Sequence, residues 1–222
     1  MIKKLISAIW ISIVVFFFIT TTVSAKEGFY LGLGLPYNTI DGDFKGNSVL
    51  SGHNDLIIIP DIDGAFGVGL LFGYVTHYGF APDQLFAIEG SFLLSVHDAE
   101  FQGQRGTVDY SLVNFDLKYL FMTSKAIEPY LLIGISLADL TIENGAVSLT
   151  TGKEGDALLT GVGLNLGIGL DYYLTKNISL GTGVIYRIIS YDIAEGVEDK
   201  SGIKDGFSGS GLGIILSTAY HF

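Results

Sequence analysis

The chain has 222 residues, a formal net charge of -11 and no cysteine. This length suits one domain and hardly two. The lack of cysteine excludes a disulfide framework, a thiolate metal site and a lipidated N-terminal cysteine. The acidic balance excludes nucleic acid as a natural partner. The 30 glycines, 12 tyrosines and 15 phenylalanines favour a strand-rich fold.

The N-terminus has the pattern of an export signal. Two lysines precede an apolar run over residues 5–19, and a small-x-small sequence ends at Ala25. The run is shorter than the ~20 residues that a spanning helix needs, which argues against a membrane anchor. We therefore expect residues 1–25 to be a signal peptide that is cleaved after Ala25, and residues 26–222 to form the mature domain.

Eight segments alternate between apolar and small or polar residues, which is the two-residue period of a strand. They are residues 29–35, 66–76, 85–97, 108–121, 129–140, 159–174, 178–191 and 211–222. Long connections are expected at residues 36–65, 98–106, 141–157 and 192–210, and short turns at 78–83, 123–128 and 175–177. Long and short connections thus alternate along the chain, as they do in barrels that cross the outer membrane.

The sixth segment shows which face is apolar. Its apolar residues, from Val162 to Leu174, alternate with four glycines, Asn165 and Asp171. A lipocalin-like barrel or a β-sandwich would bury the apolar face, and the opposite face would then be left with a set of glycines. Glycines cannot fill the core of a barrel, so we expect the apolar face to lie outside, against lipid.

The last segment runs to the end of the chain and finishes on an aromatic residue. Leu212, Ile214, Leu216, Thr218, Tyr220 and Phe222 share one face. This strand resembles the assembly signal of bacterial outer-membrane β-barrel proteins, with Tyr220 and Phe222 at the matching aromatic positions. The resemblance extends over the whole mature chain and is to eight-stranded barrels of the OmpA/OmpW type.

The resemblance implies an all-β fold: an eight-stranded antiparallel transmembrane β-barrel with up-and-down meander topology. It also implies a place in the cell outer membrane, with both mature termini in the periplasm and four long acidic loops outside. The implied partners are outer-membrane lipid and lipopolysaccharide, the barrel-assembly machinery and an extracellular ligand at the loops. We expect a monomer without a cofactor.

Five charged residues fall on the inward face of the predicted strands: Glu89, Asp116, Lys118, Asp171 and Arg187. Charges that face lipid are costly, so these groups should point inward and pair. Glu89 and Lys118 lie on adjacent strands and could meet, and Arg187 could reach Asp116 or Asp171. The network either serves only to pair the buried charges with one another, or it forms a gate or a selectivity constriction.

Glycine is concentrated on the inward face of the first, second, sixth, seventh and eighth segments, which are contiguous once the ring closes. The third to fifth segments carry bulk and charge inside. We expect an asymmetric lumen in which large side chains fill the space left by glycine; a residual cavity or pore along the glycine wall is the alternative.

Three other patterns give weaker hypotheses. Residues 41–47 partly match a calcium loop, but Lys45 replaces an oxygen ligand and the distal glutamate is missing. Ser95 and His97 share an inward face in the reverse order of the His-x-Ser pair found in lipid A deacylases. An aromatic girdle at the membrane interface is expected from a group of residues near strand ends: Tyr119, Tyr172, Tyr220 and Phe222.

The leading function is a structural and surface-display barrel whose acidic loops face the outside. The alternative is a narrow channel for small or hydrophobic solutes, as on the OmpW side of the family. A lipid A-modifying enzyme is the third reading, and we expect the chain not to be an enzyme and to hold no metal.

Overall fold

The computed structural model describes residues 27–45, 48–51, 55–77, 84–121, 126–149, 151–152, 154–195 and 207–222. The predicted signal peptide, its cleavage site at Ala25 and the turn at residues 78–83 lie outside this part of the chain. In the described residues, no helix has the length and apolar character needed to cross a membrane.

Eleven strands and one short 3-10 helix make up the described structure. The strands are β1 Gly28–Asn38, β2 Ser48–Ser51, β3 Asp55–Ile59, β4 Asp61–Ile62, β5 Ala65–His77, β6 Gln84–Phe101, β7 Gln104–Phe121, β8 Ile127–Ser148, β9 Glu154–Tyr173, β10 Ile178–Glu195 and β11 Phe207–His221. The 3-10 helix spans Gly42–Phe44, between β1 and β2.

Eight of these strands form a closed antiparallel ring in the order β1, β5, β6, β7, β8, β9, β10 and β11. The ring closes where β11 pairs with β1, from Tyr30 opposite His221 to Asn38 opposite Gly213. A closed ring leaves no strand edge unpaired, which is required of a sheet that crosses lipid. The predicted eight-stranded barrel with meander topology is therefore confirmed.

The alternation places an apolar belt on the outside of the ring. On β9, Leu164, Leu166 and Ile168 are each more than half exposed, whereas Asn165 between them is fully buried. Every other strand of the ring repeats this pattern over its central residues. Apolar side chains thus face outward, as the sequence predicts, and the polar and small residues face the lumen.

Strands β6 and β7 extend beyond the predicted limits. The predicted loop over residues 98–106 is wrong: strand pairing continues to Phe101 opposite Gln104. Only Gln102 and Gly103 form the turn, and both have positive φ angles (49° and 82°). The charged residues of this segment indicated a loop because the outward face becomes polar there, although β6 keeps the period of two as far as Glu100 and the strands stay paired.

Strands β8 and β9 extend in the same way. The predicted loop over residues 141–157 is largely strand, because β8 runs to Ser148 and β9 begins at Glu154. An irregularity between Ile142 and Ala146 interrupts the pairing, with Asn144 at a φ of 54°. Gly and Asn in this stretch mark a bulge in a projecting hairpin and not the end of the strands.

The described residues of the first connection, 39–45, 48–51 and 55–64, are folded against the ring. β2 and β3 form a hairpin, β3 pairs with the end of β8, and β4 pairs with the end of β6. We call the barrel end that carries residues 39–64 and the β6–β7 and β8–β9 hairpins the loop end. The opposite end, where Gly28 and His221 lie, is the terminal end.

Candidate functional site: the closed interior of the barrel

The lumen is filled by side chains along its length. Six large aliphatic residues from six strands point inward at mid-height, and each exposes 8% or less of its surface: Leu71, Leu93, Leu112, Leu132, Ile185 and Ile215. An eight-stranded ring encloses a space that side chains just fill. The described interior is therefore a packed core and not a water-filled channel.

A buried charged cluster lies towards the terminal end. Lys118 Nζ lies 2.6 Å from Glu89 Oε2, and the Tyr30 hydroxyl donates to the same oxygen at 2.7 Å. Lys118 also lies over the ring of Tyr130, with Nζ 4.7 Å from the ring centroid. Two tyrosines thus contact the ion pair, one at the carboxylate and one at the ammonium group, as a desolvated ion pair requires.

A ring of polar side chains crosses the lumen next to this cluster. Asn114 Nδ2 donates to Ser91 Oγ at 2.9 Å, and the Ser136 hydroxyl lies 2.6 Å from both Asn114 Oδ1 and Asn165 Oδ1. Asn165 Nδ2 donates to Asp116 Oδ1 at 2.8 Å. The ring ties four strands together, β6 to β9, and it gives the Asp116 carboxylate a donor.

Glycine and bulk are complementary inside the barrel. A side chain at Gly169 or Gly183 would collide with the Tyr130 hydroxyl, and one at Gly73 would collide with the Tyr30 ring. Asp171, which the sequence places in the lumen, packs its carboxylate against Gly181. The glycines therefore make room for the large side chains. The predicted asymmetry holds only in part, because the glycine-rich strands also bury large inward residues: Tyr30, Leu71, Ile185 and Ile215.

Arg187 lies apart from the carboxylates. Its side chain is 4% exposed, and its Nη1 donates to Asn38 Oδ1 at 3.1 Å. Within the described residues it forms no ion pair with Asp116 or Asp171, the two partners that the sequence suggested. All five predicted lumen charges thus face inward, but only Glu89 and Lys118 meet.

The loop end is closed by the described residues of the first connection (39–45, 48–51 and 55–64), which we call the cap. Ile57, Ile59 and Ile62 of the cap are each 1% exposed or less, and Phe44 is fully buried. The Phe44 ring packs edge-on against Tyr191 of β10, with the centroids 5.2 Å apart. The cap is therefore an apolar closure of the lumen and not a solvated loop.

Polar contacts hold the cap in place. Lys45 Nζ lies 2.9 Å from Asp61 Oδ1 in an ion pair and donates to the Ile62 carbonyl at 2.8 Å. The interaction with the Asp61 carboxylate raises the pKa of Lys45. Asp43 accepts from the backbone N–H of Ser208 at 2.8 Å, and this bond ties the cap to the first residues of β11.

The burial of the cap against the lumen is not predicted from the sequence. The signal for it was the apolar run at residues 56–59, which stands in an otherwise polar and acidic stretch. Of the partial calcium motif, Asp41 accepts from Thr39 and Asp43 from the backbone. Across the described residues, no group of three acidic or histidine side chains has the spacing of a metal site.

Ser95 and His97 form a buried hydrogen-bonded pair. Ser95 Oγ lies 2.9 Å from His97 Nε2, and His97 Nδ1 lies 2.7 Å from the Asp63 carbonyl. Because a carbonyl oxygen can only accept, the neutral ring carries its proton on Nδ1 and Nε2 accepts from the serine. His97 has no exposed surface, so the pair links the barrel wall to the cap.

The aromatic residues at the terminal end are only partly a girdle. Tyr220 and Phe222 are 50% and 63% exposed, and their rings pack edge-on at 5.2 Å; Tyr119 is half-buried. Tyr172 lies opposite Ile127 and Leu180, which face outward, so it keeps the outward position of its strand although it is buried. β9 ends at the next residue, where Tyr173 N–H donates to the Ala126 carbonyl.

Carboxylates dominate the exposed surface of the loop end. Exposed acidic residues stand on the cap and on the ends of β6 to β10: Asp43, Asp63, Asp98, Glu100, Asp109, Asp139, Glu143, Glu154, Asp156 and Asp192. In the described part of this end, the exposed basic residues are Lys45 and Arg105. The loop end therefore presents a negative potential.

The fold is shared with solved outer-membrane barrels. Neisserial surface protein A aligns with a TM-score of 0.53 and 17% identity, over 88% of this chain and 97% of that one. The attachment invasion locus protein Ail of Yersinia pestis aligns at 0.50 and 16%, over 89% and 100%. AlkL, an outer membrane protein solved in lipid bilayers, aligns at 0.52 and 16%, over 91% and 93%.

Sequence comparison supports the same grouping. The family described as "Outer membrane protein beta-barrel domain" matches residues 11–220. A comparison with curated protein sequences gives no significant match.

Proposed function

The chain belongs to the outer membrane protein beta-barrel domain family, and from this premise we propose that it is a closed surface-display barrel of the bacterial outer membrane. Its apolar belt anchors it in lipid, and its loop end faces the outside of the cell. The terminal end faces the periplasm in this proposal. The working surface is the acidic loop end, and its partner is a cationic or cation-bridged molecule.

The closed lumen is the observation that carries the proposal. The inward aliphatic residues at mid-height are each 8% exposed or less, and Ile57, Ile59 and Ile62 of the cap are buried above them. A pore needs a continuous path for water or solute, and packed aliphatic side chains offer none. A barrel that is sealed in this way acts through its surface.

The projecting hairpins support an outward role. β6–β7 and β8–β9 continue as paired strands beyond the apolar belt, where their outward residues turn acidic. Paired strands hold surface groups in fixed positions. They therefore lose less conformational entropy when a partner binds than a solvated loop does, which favours a role in recognition. Two of the similar structures are described as a surface protein and an attachment protein, and we propose a role of this kind here.

We propose that the chain is not an enzyme. Ser95 and His97 have the contacts of an activated hydroxyl, but a nucleophile also needs substrate access and an oxyanion site. His97 has no exposed surface and is held by the cap. The pair is better suited to fastening Asp63 of the cap to β6.

A narrow channel for small hydrophobic solutes is the second candidate, and the apolar lining of the loop end favours it. Phe44, Ile57 and Ile62 of the cap contact an interior that includes Leu140, Leu159 and Phe207. If the cap swung outward, an apolar solute would meet this lining. In this case the cap would be a gate, and the same residues would form a binding surface.

Conductance separates the two candidates. The mature chain is refolded into lipid vesicles, its fold is verified by the heat-dependent gel shift, and single-channel current is measured. We expect folded protein without steady current steps. Reproducible steps from the wild-type chain would overturn the sealed-barrel proposal. Uptake of a fluorescent apolar solute by the same vesicles would favour the channel.

Orientation has its own test, since the chain has no natural cysteine. Arg105→Cys lies in the β6–β7 hairpin and Lys176→Cys in the turn before β10, and both side chains are exposed. An impermeant maleimide added to intact cells should label Arg105→Cys and leave Lys176→Cys unlabelled until the outer membrane is permeabilised. The opposite result would mean that the loop end faces the periplasm.

A further inference from the structure

A small polar cavity lies inside the barrel, beneath the start of the cap. It measures about 10 Å³, and its walls come from the end of β1, from β7, β10 and β11. The residues of the wall that carry polar side chains are Asn38, Thr39, Tyr110, Arg187, Tyr191 and Ser210. Of the ion pairs and hydrogen bonds of the interior described above, the one between Arg187 and Asn38 lies at this cavity.

Two buried donors at the cavity have no acceptor in the described structure. Arg187 Nε and Asn38 Nδ2 are both buried without a hydrogen-bonding partner. The orientation of the Asn38 amide is fixed, because Arg187 Nη1 requires the oxygen, Oδ1, at 3.1 Å. Buried polar groups are nearly always bonded, so two orphaned donors on one cavity point to an acceptor there.

A third donor is available from Tyr110. The Tyr191 hydroxyl donates to the Tyr110 oxygen at 3.2 Å, which leaves the Tyr110 proton free for another acceptor. Tyr110 is 5% exposed and lines the cavity. The polar side chains that surround the cavity can thus offer an N–H from an arginine, an N–H from an amide and an O–H.

The charge at the cavity is positive. The Arg187 guanidinium is permanently charged, and it forms no ion pair with a described carboxylate. Asp116, the carboxylate of the polar ring, does not pair with Arg187, and its Oδ1 accepts from Asn165. A buried charge is retained at such a site when a counter-charge is close to it.

From the donors and the charge together, we propose that this cavity binds one monovalent anion such as chloride. A volume of about 10 Å³ limits the cavity to a single small occupant. Phosphate, sulfate and carboxylate groups are too large for it. A halide accepts from several donors at once and offers no proton, which matches a wall that supplies N–H and O–H groups.

The anion would couple the cap to the barrel wall. Asn38 is the last residue of β1, and the cap begins at the next residue, whose N–H donates to the Leu212 carbonyl. Arg187 stands on β10, two strands from β1 around the ring. An anion held by both Asn38 and Arg187 thus fastens the base of the cap across β11.

Anomalous diffraction tests occupancy directly. Crystals of the wild-type mature barrel are grown or soaked in bromide and measured at the bromine edge. We expect a peak within about 3.5 Å of Arg187 Nε and Asn38 Nδ2. Electron density without an anomalous peak at that position would mean that a water fills the cavity, and the proposal would be overturned.

Thermal stability tests binding in solution. The midpoint of the heat-induced gel shift is compared in chloride and in gluconate at equal ionic strength, and we expect it to rise with chloride for the wild type. Arg187→Gln should remove this dependence. Arg105→Gln, at the other arginine of the chain and exposed, should keep it.

A milder variant covers the case in which Arg187→Gln does not fold. Tyr110→Phe keeps the ring and removes one donor, so the chloride concentration at half-effect should rise about tenfold or more. A wild-type midpoint that is the same in chloride and gluconate, or an equal chloride effect in Tyr110→Phe, would overturn the proposal. Both outcomes are independent of whether the barrel conducts.

Discussion

The two halves of the lumen follow the same alternation but are closed by different means. At the terminal end, Glu89, Lys118 and Tyr30 fill the space with a buried ion pair and its hydrogen bonds. At the loop end, Phe44 and the cap isoleucines fill it with apolar packing. The terminal half is built from the ring itself, whereas the loop half depends on a separate segment that folds inward.

The difference determines how each half of the lumen loses stability when a residue is substituted. A buried ion pair depends on both partners, because the loss of one leaves an uncompensated charge. An apolar cap loses stability in proportion to the atoms removed and can detach while the ring remains intact. We therefore expect substitutions in the terminal half to destabilise the whole barrel, and substitutions in the loop half to release the cap.

The largest effect is expected at the ion pair. Lys118→Met leaves the Glu89 carboxylate buried without its counter-ion, and the free energy of unfolding should fall by about 3–5 kcal/mol. Urea unfolding in lipid vesicles measures it. The control is Glu89→Gln with Lys118→Met, because the glutamine still accepts from Tyr30. If the double variant is as unstable as the single one, charge burial is not the cause.

A substitution in the cap should destabilise the cap and leave the strands of the ring intact. Phe44→Ala removes the ring that packs on Tyr191, at a cost of about 3 kcal/mol to the closed cap. Amide exchange at Ile57 and Ile59 should accelerate, while exchange in the ring strands stays slow. Phe29→Ala, at an exposed outward ring, is the control. Equal acceleration in all strands would show that the cap and the ring unfold together.

A substitution in the polar ring should give a smaller loss in the free energy of unfolding. Ser136→Ala removes the donor to Asn114 Oδ1 and Asn165 Oδ1, and we expect a loss of about 1–2 kcal/mol. The same urea titration measures it, with Ser111→Ala on the outward face of β7 as the control. A loss no larger than that of Ser111→Ala would mean that the hydroxyl does not hold the ring together.

The smallest effect concerns pH and the Lys45–Asp61 pair, which is exposed by more than two-fifths on both sides. Because the folded pKa of Lys45 is raised, its contribution is complete below the ordinary lysine pKa and is lost as pH rises through the folded pKa. Solvent screening limits it to under about 1 kcal/mol.

The measurement for this pair is cap protection from protease between pH 8 and 11. Lys45→Met should lower the protection of the cap at pH 8. It should also make the decline of this protection between pH 8 and pH 11 smaller than in the wild type. Lys176→Met, an exposed lysine at the terminal end, should behave like the wild type. A Lys45→Met curve that runs parallel to the wild-type curve would mean that the decline comes from other groups.

The ring was predictable because its determinants are local. Alternation fixes which face of each strand is apolar, so the inward direction of Glu89, Asp116, Lys118, Asp171 and Arg187 follows from position alone. Pairing partners depend on the stagger between strands, which a single sequence does not show. Glu89 and Lys118 could be matched across neighbouring strands, whereas the contact of Arg187 with Asn38 spans the ring closure.

The cap and the strand ends were not predictable in the same way. Gln104 to Thr107 are polar on both faces, because no lipid lies outside there, and the apolar signal of a membrane strand is lost although the strand continues. The cap isoleucines are a short apolar run whose partners come from distant strands. Their burial depends on tertiary contacts, which override the polar character of the surrounding residues.

The seam between β1 and β11 has a consequence for the order of folding. Six of the eight pairings in the ring join consecutive strands, and a seventh joins β1 to β5 across the cap, so each can form as soon as its second strand is present. The eighth joins Tyr30 to His221, near opposite ends of the described chain. Until that last strand arrives, β1 keeps an open edge that would pair with any available strand. Because contacts between distant residues form slowly, closure of this seam should be the late step of folding. Assembly in the membrane therefore has to protect β1 during the interval.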